Sequence, residues 1–578
     1  MSFGLFAGAI AAGCATVDIP PLGATSSGSD GGIGTPSVAA SGSGGAGATS
    51  GPAYLPVRLR RLTDGEWQAA VTTVFTPQAP GAGSLPSSIG SAITAAAAQF
   101  PPDSTQTGFA VNDGQEVDPV FAAQVDSAAH AIASAATATA LLQSIAPCAD
   151  TTNGAVTCAT SFIASFAQNA YRRPPTQSEL AGLLVVYHAA ADGGAYADGI
   201  QAVITAVLES PGFLYVTEMG SATGDTVTMT DYEIASELSF LLTGNPPDAP
   251  LLTAAAAGQL QDPSNRQTQA RRLLKTQNAK AQLTEVIEQW LGIGSVDQIA
   301  KDTTVYPNFS NVQSAMKSEA DDFIGEVVWN EGKGIAELFG ANWTLTDPQY
   351  AASLASFYGA SPPDSTGRIS LAGTGRTGIL DQGAFLSVYA HAQETGPVLR
   401  GVAILRNVAC VTIADPSTLN IAVVPPPPDP TKTTRERYAV HATDPVCASC
   451  HTQIDSIGFA FENFDGEGMK RTTDATPAQP VDSTTTVAAT TADLGGTYAD
   501  SSALAAVIAA SADVRQCFAR KMFQYAAAQN DSDATVKAAE DGFINVWNTL
   551  PQASQNSLIE VLVAYAGSPA FITRKVVQ

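Results

Sequence analysis

Three times along this chain a threonine stands three residues before a glutamate, just ahead of an apolar stripe at helical spacing. Thr63 and Glu66 precede Trp67, Val71, Val74 and Phe75, and Thr176 and Glu179 precede Leu180, Leu183, Leu184 and Tyr187. Thr230 and Glu233 precede Ile234, Leu238, Leu241 and Leu242. In such a pair each side chain caps the other residue's backbone N–H, so the pattern starts helices rather than strands. Apolar residues three and four apart then give each helix one face to bury. Gly244 followed by Pro246 and Pro247 stops the third helix. The same periodicity predicts helices at about 118–145, 264–292, 312–338, 381–391 and 397–411. After Asp513, read as an N-cap, Val514, Cys517, Phe518, Met522 and Tyr525 line a last apolar face. Residues 77–115 read as irregular, Pro425 to Pro428 as a stiff extended spacer, and the Thr- and Val-rich stretch 470–500 as a small β-hairpin region. The expected fold class is mainly α.

One short stretch carries chemistry. In Cys447-Ala448-Ser449-Cys450-His451 two cysteines stand three apart, with histidine directly after the second. This is the attachment pattern of c-type haem. On one helical turn both sulfurs reach the vinyl-derived carbons of a single porphyrin, and His451 falls beneath the iron as its proximal ligand. The cofactor the pattern calls for is one covalent haem c, since no second CxxCH occurs. The alternatives are a Cys447–Cys450 disulfide or half of a zinc site, although zinc needs a second ligand pair that the spacing does not supply. Iron chemistry then turns on the sixth ligand, because a second protein ligand favours electron transfer and an open position favours activation of peroxide or oxygen. Met469 and His441 are candidates, whereas Met522 on its apolar face reads as core. Arg435, Arg437, Lys470 and Arg471 flank the motif, as partners for haem propionates or as ordinary surface charge. The oxygen-rich run from Glu462 to Glu467 lacks EF-hand spacing and reads as a hydrogen-bonded turn. His130, His188 and His391 fall on expected helices and read as structural.

Covalent haem attachment needs an export route. Phe3 to Gly13 is apolar and small, and Ala11-Ala12-Gly13-Cys14 looks like a lipoprotein cleavage box, with Cys14 as the lipidated residue. Residues 1–14 are therefore expected to be a lipoprotein signal peptide, and 15–52 a disordered Gly/Ser/Ala tether. The expected location is the outer membrane, cell surface or periplasm, touching the membrane only through the N-terminal lipid. The other cysteines divide into two expected disulfide pairs, Cys148 with Cys158 and Cys410 with Cys517, the latter equally readable as buried thiols. With 28 basic and 53 acidic side chains the formal charge is -25. Such a surface disfavours nucleic acid and suits a basic redox partner.

Several separated stretches resemble the planctomycete- and myxobacterium-type exported proteins, which string together domains of unknown function and end in a cytochrome-c-like segment. They are Leu59-Arg60-Arg61-Leu62-Thr63, Tyr171-Arg172-Arg173-Pro174, Ser210-Pro211-Gly212-Phe213-Leu214 and Gln289-Trp290-Leu291-Gly292. Arg376-Thr377-Gly378-Ile379-Leu380 and Gly396-Pro397-Val398-Leu399-Arg400-Gly401 follow. The densest run is Arg435-Glu436-Arg437, His441, the CxxCH motif, Ile454-Asp455, Gly458-Phe459 and Glu462-Asn463-Phe464-Asp465. The chain departs from the family at Ser456, where proline is usual, and at Gly468 to Arg471. The resemblance implies consecutive helical regions at 53–150, 151–222, 223–365 and 366–470, the last carrying CxxCH, and a C-terminal hairpin and helical region at 471–578. The function expected is one-electron transfer at the cell envelope. A peroxidase-like haem oxidoreductase and a non-redox surface protein with a CxxC disulfide are the alternatives.

Overall fold

All three threonine–glutamate boxes close in the computed structural model of the chain. Glu66 N–H donates to Thr63 Oγ1 at 3.1 Å and Thr63 N–H to Glu66 Oε2 at 2.9 Å. The corresponding distances are 3.2 and 2.6 Å for Thr176 and Glu179, and 3.3 and 2.8 Å for Thr230 and Glu233. They open the helices Asp64–Phe75, Gln177–Ala191 and Asp231–Thr243, the last ended by Gly244 at φ +62°. The structure describes residues 54–576 apart from 77–83, 107, 111–116, 150, 152–154, 193–194, 414–425, 427–428, 444, 476 and 530–532. The expected signal peptide with Cys14, the tether, and Pro425, Pro427 and Pro428 of the spacer lie outside the described residues.

The fold is mainly α, with small sheets. Expected helices form, several of them in shorter pieces, and one breaks where a polar side chain captures a backbone N–H. The 264–292 pattern divides into Pro263–Leu273 and Gln277–Leu291, because Thr276 accepts from Ala279 N–H at 3.2 Å and caps a new start. Ser511 rather than Asp513 caps the helix Ala512–Ala527, accepting from Val514 N–H at 2.9 Å. Within the stretch read as irregular, Ser87–Ala97 is helical and buries Ile89 and Ile93, one turn apart. The 470–500 region forms two hairpins, Thr473–Asp474 with Gln479–Pro480 and Thr485–Val487 with Gly496–Tyr498.

Two hydrophobic cores form among the described residues. One gathers Trp67, Phe75, Phe121, Phe166, Tyr187 and Phe213 from the first part of the described chain. The other takes in Leu55 and Phe109 and then runs from Met229 to Phe571, including Ile454 and Ile457 of the CxxCH helix. A four-stranded sheet joins the two ends of the described residues, with Leu55–Pro56 parallel to Thr573–Lys575, which pairs antiparallel with Thr226–Thr228 and through it meets Ser221–Thr223. Beside it Arg58–Arg61 pairs with Tyr215–Glu218. The disulfides Cys148–Cys158 and Cys410–Cys517 are both formed. No helix among the described residues is long and apolar enough to cross a membrane.

Candidate haem-attachment site

Cys447, Cys450 and His451 lie on the helix Pro445–Gly458. Steps of three and four residues bring side chains to one helical face, so two thiols and an imidazole point the same way. All three are intermediate in exposure, and Cys447 and Cys450 remain thiols while the other described cysteines are joined in disulfides.

The C-terminal half of this helix is docked by glycines. A Cβ on Gly458 would stand 1.8 Å from the Pro397 carbonyl oxygen, and one on Gly401 2.1 Å from that of Ile454. Only bare backbone permits the helix to lie this close against Pro397–Ala403. The turn that follows is held by two buried arginines. Arg400 donates to the carbonyls of Phe461, Phe464, Leu386 and Asp465 at 3.0, 3.2, 2.9 and 2.8 Å. Arg376 donates to those of Asp381 and Gly468 at 2.6 and 2.5 Å. Burial pulls the Arg400 guanidinium down to about 10, against the nearby Glu462 carboxylate.

Asp455, 7 % exposed, sits one turn after His451. Its Oδ1 lies 2.9 Å from His451 Nδ1 and its Oδ2 3.1 Å from His441 Nδ1. The two imidazoles thus share one carboxylate, with ring centroids 3.9 Å apart at 47°. Tyr438 meets the His441 ring edge-on at 5.3 Å. The ligand-capable atoms of His441, His451 and Asp455 all lie within 4.8 Å of one another, which is also chelating distance for a divalent cation.

Met469 is 41 % exposed, in a turn closed by Asp465 N–H donating to the Met469 carbonyl at 2.9 Å and Met469 N–H to Asp465 Oδ1 at 2.8 Å. Met522 is buried beside Phe518 and Phe523 in the core. The four flanking cations all have protein partners. Arg435 stacks on Phe459 at 4.4 Å and donates to the carbonyls of Asp482 and Thr484, and Arg437 pairs with Glu394 at 2.6 Å. Lys470 donates to the Thr374 carbonyl at 2.8 Å, and Arg471 pairs with Glu462 at 2.6 Å and Asp474 at 3.0 Å. The run Glu462 to Glu467 is the hydrogen-bonded turn its sequence predicts. Burial, with Asp465 next to it, pushes the Glu467 carboxyl up to about 7.

Neither of two cavities elsewhere touches this segment. One of about 350 Å³ is bordered by Arg60, Glu66, Glu237 and Tyr525, and an open groove of about 1050 Å³ by Glu288, Lys317 and Asp321. The role of Asp455 escapes a motif search because CxxCH ends at His451. Its position four residues on, one helical turn away, is the signal that finds it.

Three stretches match family models. Residues 158–218 match PSD5, a protein of unknown function (DUF1595), and 229–360 match PSD4, a protein of unknown function (DUF1592). Residues 376–474 match PSCyt3, a protein of unknown function (DUF1588), and enclose His441, the CxxCH motif, Asp455 and Met469. The chain is a multi-domain protein assembled from three families of unknown function. No curated protein and no solved structure matches it. The domain matches place structural meaning on the short motifs. In the PSD5 stretch Arg172 donates to the carbonyls of Gly212, Phe213 and Tyr215 at 3.1, 3.1 and 2.7 Å, tying Tyr171–Pro174 to Ser210–Leu214. In the PSCyt3 stretch Arg376 and Arg400 do the same for the turn after the CxxCH helix.

Proposed function

We propose that this protein is an exported, lipid-anchored mono-haem c-type cytochrome-like protein that passes single electrons at the cell envelope. One observation carries the reading: both motif thiols share a helix face with His451, whose Nδ1 is already held by Asp455. A carboxylate only accepts hydrogen bonds, so Nδ1 is the protonated nitrogen and Nε2 keeps its lone pair for a metal. The residues therefore fit a haem attached at Cys447 and Cys450 and ligated by His451. When bound, haem c supplies a one-electron ferric/ferrous couple. The chain supplies the two sulfurs, an oriented imidazole and a rigid base, since Gly401, Gly458 and Arg400 fix the C-terminal half of the helix and the turn after it. The name PSCyt3 points the same way. A formal charge of -25 favours a basic redox partner over nucleic acid or anionic lipid.

A haem-stained denaturing gel of the exported protein tests the reading. A stained band at the position of this chain is expected from the wild type and none from the Cys447→Ser, Cys450→Ser double variant; an unstained wild-type band would refute it. A haem-dependent oxidoreductase is the second reading. What favours it is that His441 is bonded to the carboxylate that holds His451, and Met522 is core, so of the candidate opposite ligands only Met469 is accessible. Cyanide distinguishes the two. A shifted absorbance in the resting wild type supports the oxidoreductase, and a shift only in Met469→Ala supports the carrier.

A further inference from the structure

The Asp455 carboxylate divides itself between two imidazoles, an arrangement that attachment of haem does not by itself require. We infer that Asp455 is a positioning residue that aligns His451 for iron and holds the bound iron at a lower reduction potential, and that His441 weakens this pull by occupying the carboxylate's second oxygen. The inference rests on the haem reading given above.

The geometry supports each part. His451 and Asp455 are one turn apart on the same helix, so the helix itself brings the two side chains to one face, where they meet at 2.9 Å. Asp455 is 7 % exposed, so the bond is little diluted by water. A histidine whose outer nitrogen donates to a carboxylate is a more basic ligand, and a more electron-donating ligand favours the ferric state. His441 comes from a separate short helix, Val440–Thr443, and its Nδ1 donates to Oδ2 at 3.1 Å. Each hydrogen bond a carboxylate accepts draws charge from the other, so this donor limits what Asp455 lends His451. Tyr438 packs against the His441 ring, and that ring lies 3.9 Å from that of His451. His441 therefore sits with His451 on Asp455, which gives it a role other than that of sixth ligand.

The two substitutions move the potential in opposite directions. Potentials are measured by spectroelectrochemical titration of the full-length haem protein at one fixed pH. Asp455→Asn keeps the shape, removes the charge, and is expected to raise the potential. His441→Leu leaves the whole carboxylate to His451 and is expected to lower it. A role in packing alone predicts no shift, or shifts of the same sign, and either result overturns the inference. Should Asp455→Asn yield no haem protein, His441→Leu decides alone, with a lower potential supporting the inference and an unchanged or higher one overturning it. An absence of haem from the wild type is a separate outcome that defeats the haem reading itself.

Discussion

At the scale of single residues, Cys447 and His451 are half-buried and Cys450 packs against the edge of the larger core. The Cys447→Ser, Cys450→Ser double variant is expected to lose about 1 kcal/mol of stability or less relative to an equally haem-free wild type, read by urea unfolding followed by circular dichroism. Other side chains are committed to the interior at a cost that depends on pH. Glu319 is fully buried, bonded by Tyr358 Oη at 2.5 Å and Thr344 Oγ1 at 2.8 Å, and burial raises its carboxyl to about 7. Burial raises Asp381 to about 7 as well. In both the folded state holds its proton to higher pH than the unfolded chain, so their contribution is complete below the ordinary carboxyl range and is lost as pH rises through about 7. Glu179, held down at about 2 chiefly by Arg173, acts in the opposite sense but only below the ordinary carboxyl range. The urea midpoint is therefore expected to fall between pH 5 and pH 8, and Glu319→Gln to flatten that fall. A rising midpoint would contradict it. CxxCH was legible because covalent attachment imposes its spacing. The His441–Asp455 contact was not, because the two stand fourteen positions apart on different helices and only the packing of those helices brings them together.

At the scale of elements, the CxxCH helix depends on backbone contact. Gly458→Ala pushes a methyl group to 1.8 Å from the Pro397 carbonyl oxygen. Gly458 has ordinary helical angles, φ -67° and ψ -35°, so alanine gains helix propensity, and only the close approach opposes it. Overpacking is expected to cost about 1–3 kcal/mol, read by denaturant unfolding, and an unchanged or raised stability would show that the two helices separate freely. Arg400→Ala leaves four carbonyls without their donor and is expected to cost about 3 kcal/mol or more. Helix starts were readable because threonine and glutamate act on neighbouring backbone, and the Thr63, Thr176 and Thr230 boxes all closed. Helix breaks were harder, since Thr276 interrupts an apolar stripe that itself continues across it. Arg172, Arg376 and Arg400 read in sequence as family signatures of no stated purpose. Burial turns each into a staple across carbonyls, and burial depends on partners 40 to 92 residues away, which local patterns do not carry.

At the scale of the whole molecule, the described chain is closed on itself by charge as well as by strands. Glu218 is fully buried between Arg58, at 2.8 Å, and Arg574. Burial alone would raise its carboxyl, but the Arg574 and Arg58 guanidiniums outweigh it and hold it at about 2. Arg574 also donates to the carbonyls of Ala570 and Thr573. Arg574→Ala removes one of the two cations beside a buried carboxylate and is expected to cost about 3–5 kcal/mol, read as a lowered urea midpoint; a change under about 0.5 kcal/mol would mean the clasp is incidental. Farther in, Arg266 reaches the carbonyls of Leu260, Gln261, Ala566 and Gly567, so the PSD4 stretch and the end of the chain share one core. This scaffold presents a single candidate redox group on a half-exposed helix face, within a strongly acidic protein. The most direct measurement of that claim is the alkaline pyridine spectrum of the purified, exported wild-type protein. The account predicts one haem per chain with the α-band of a haem whose vinyl groups have become thioethers. A colourless protein in which Cys447 and Cys450 are joined to each other, or hold zinc with His451, would contradict it.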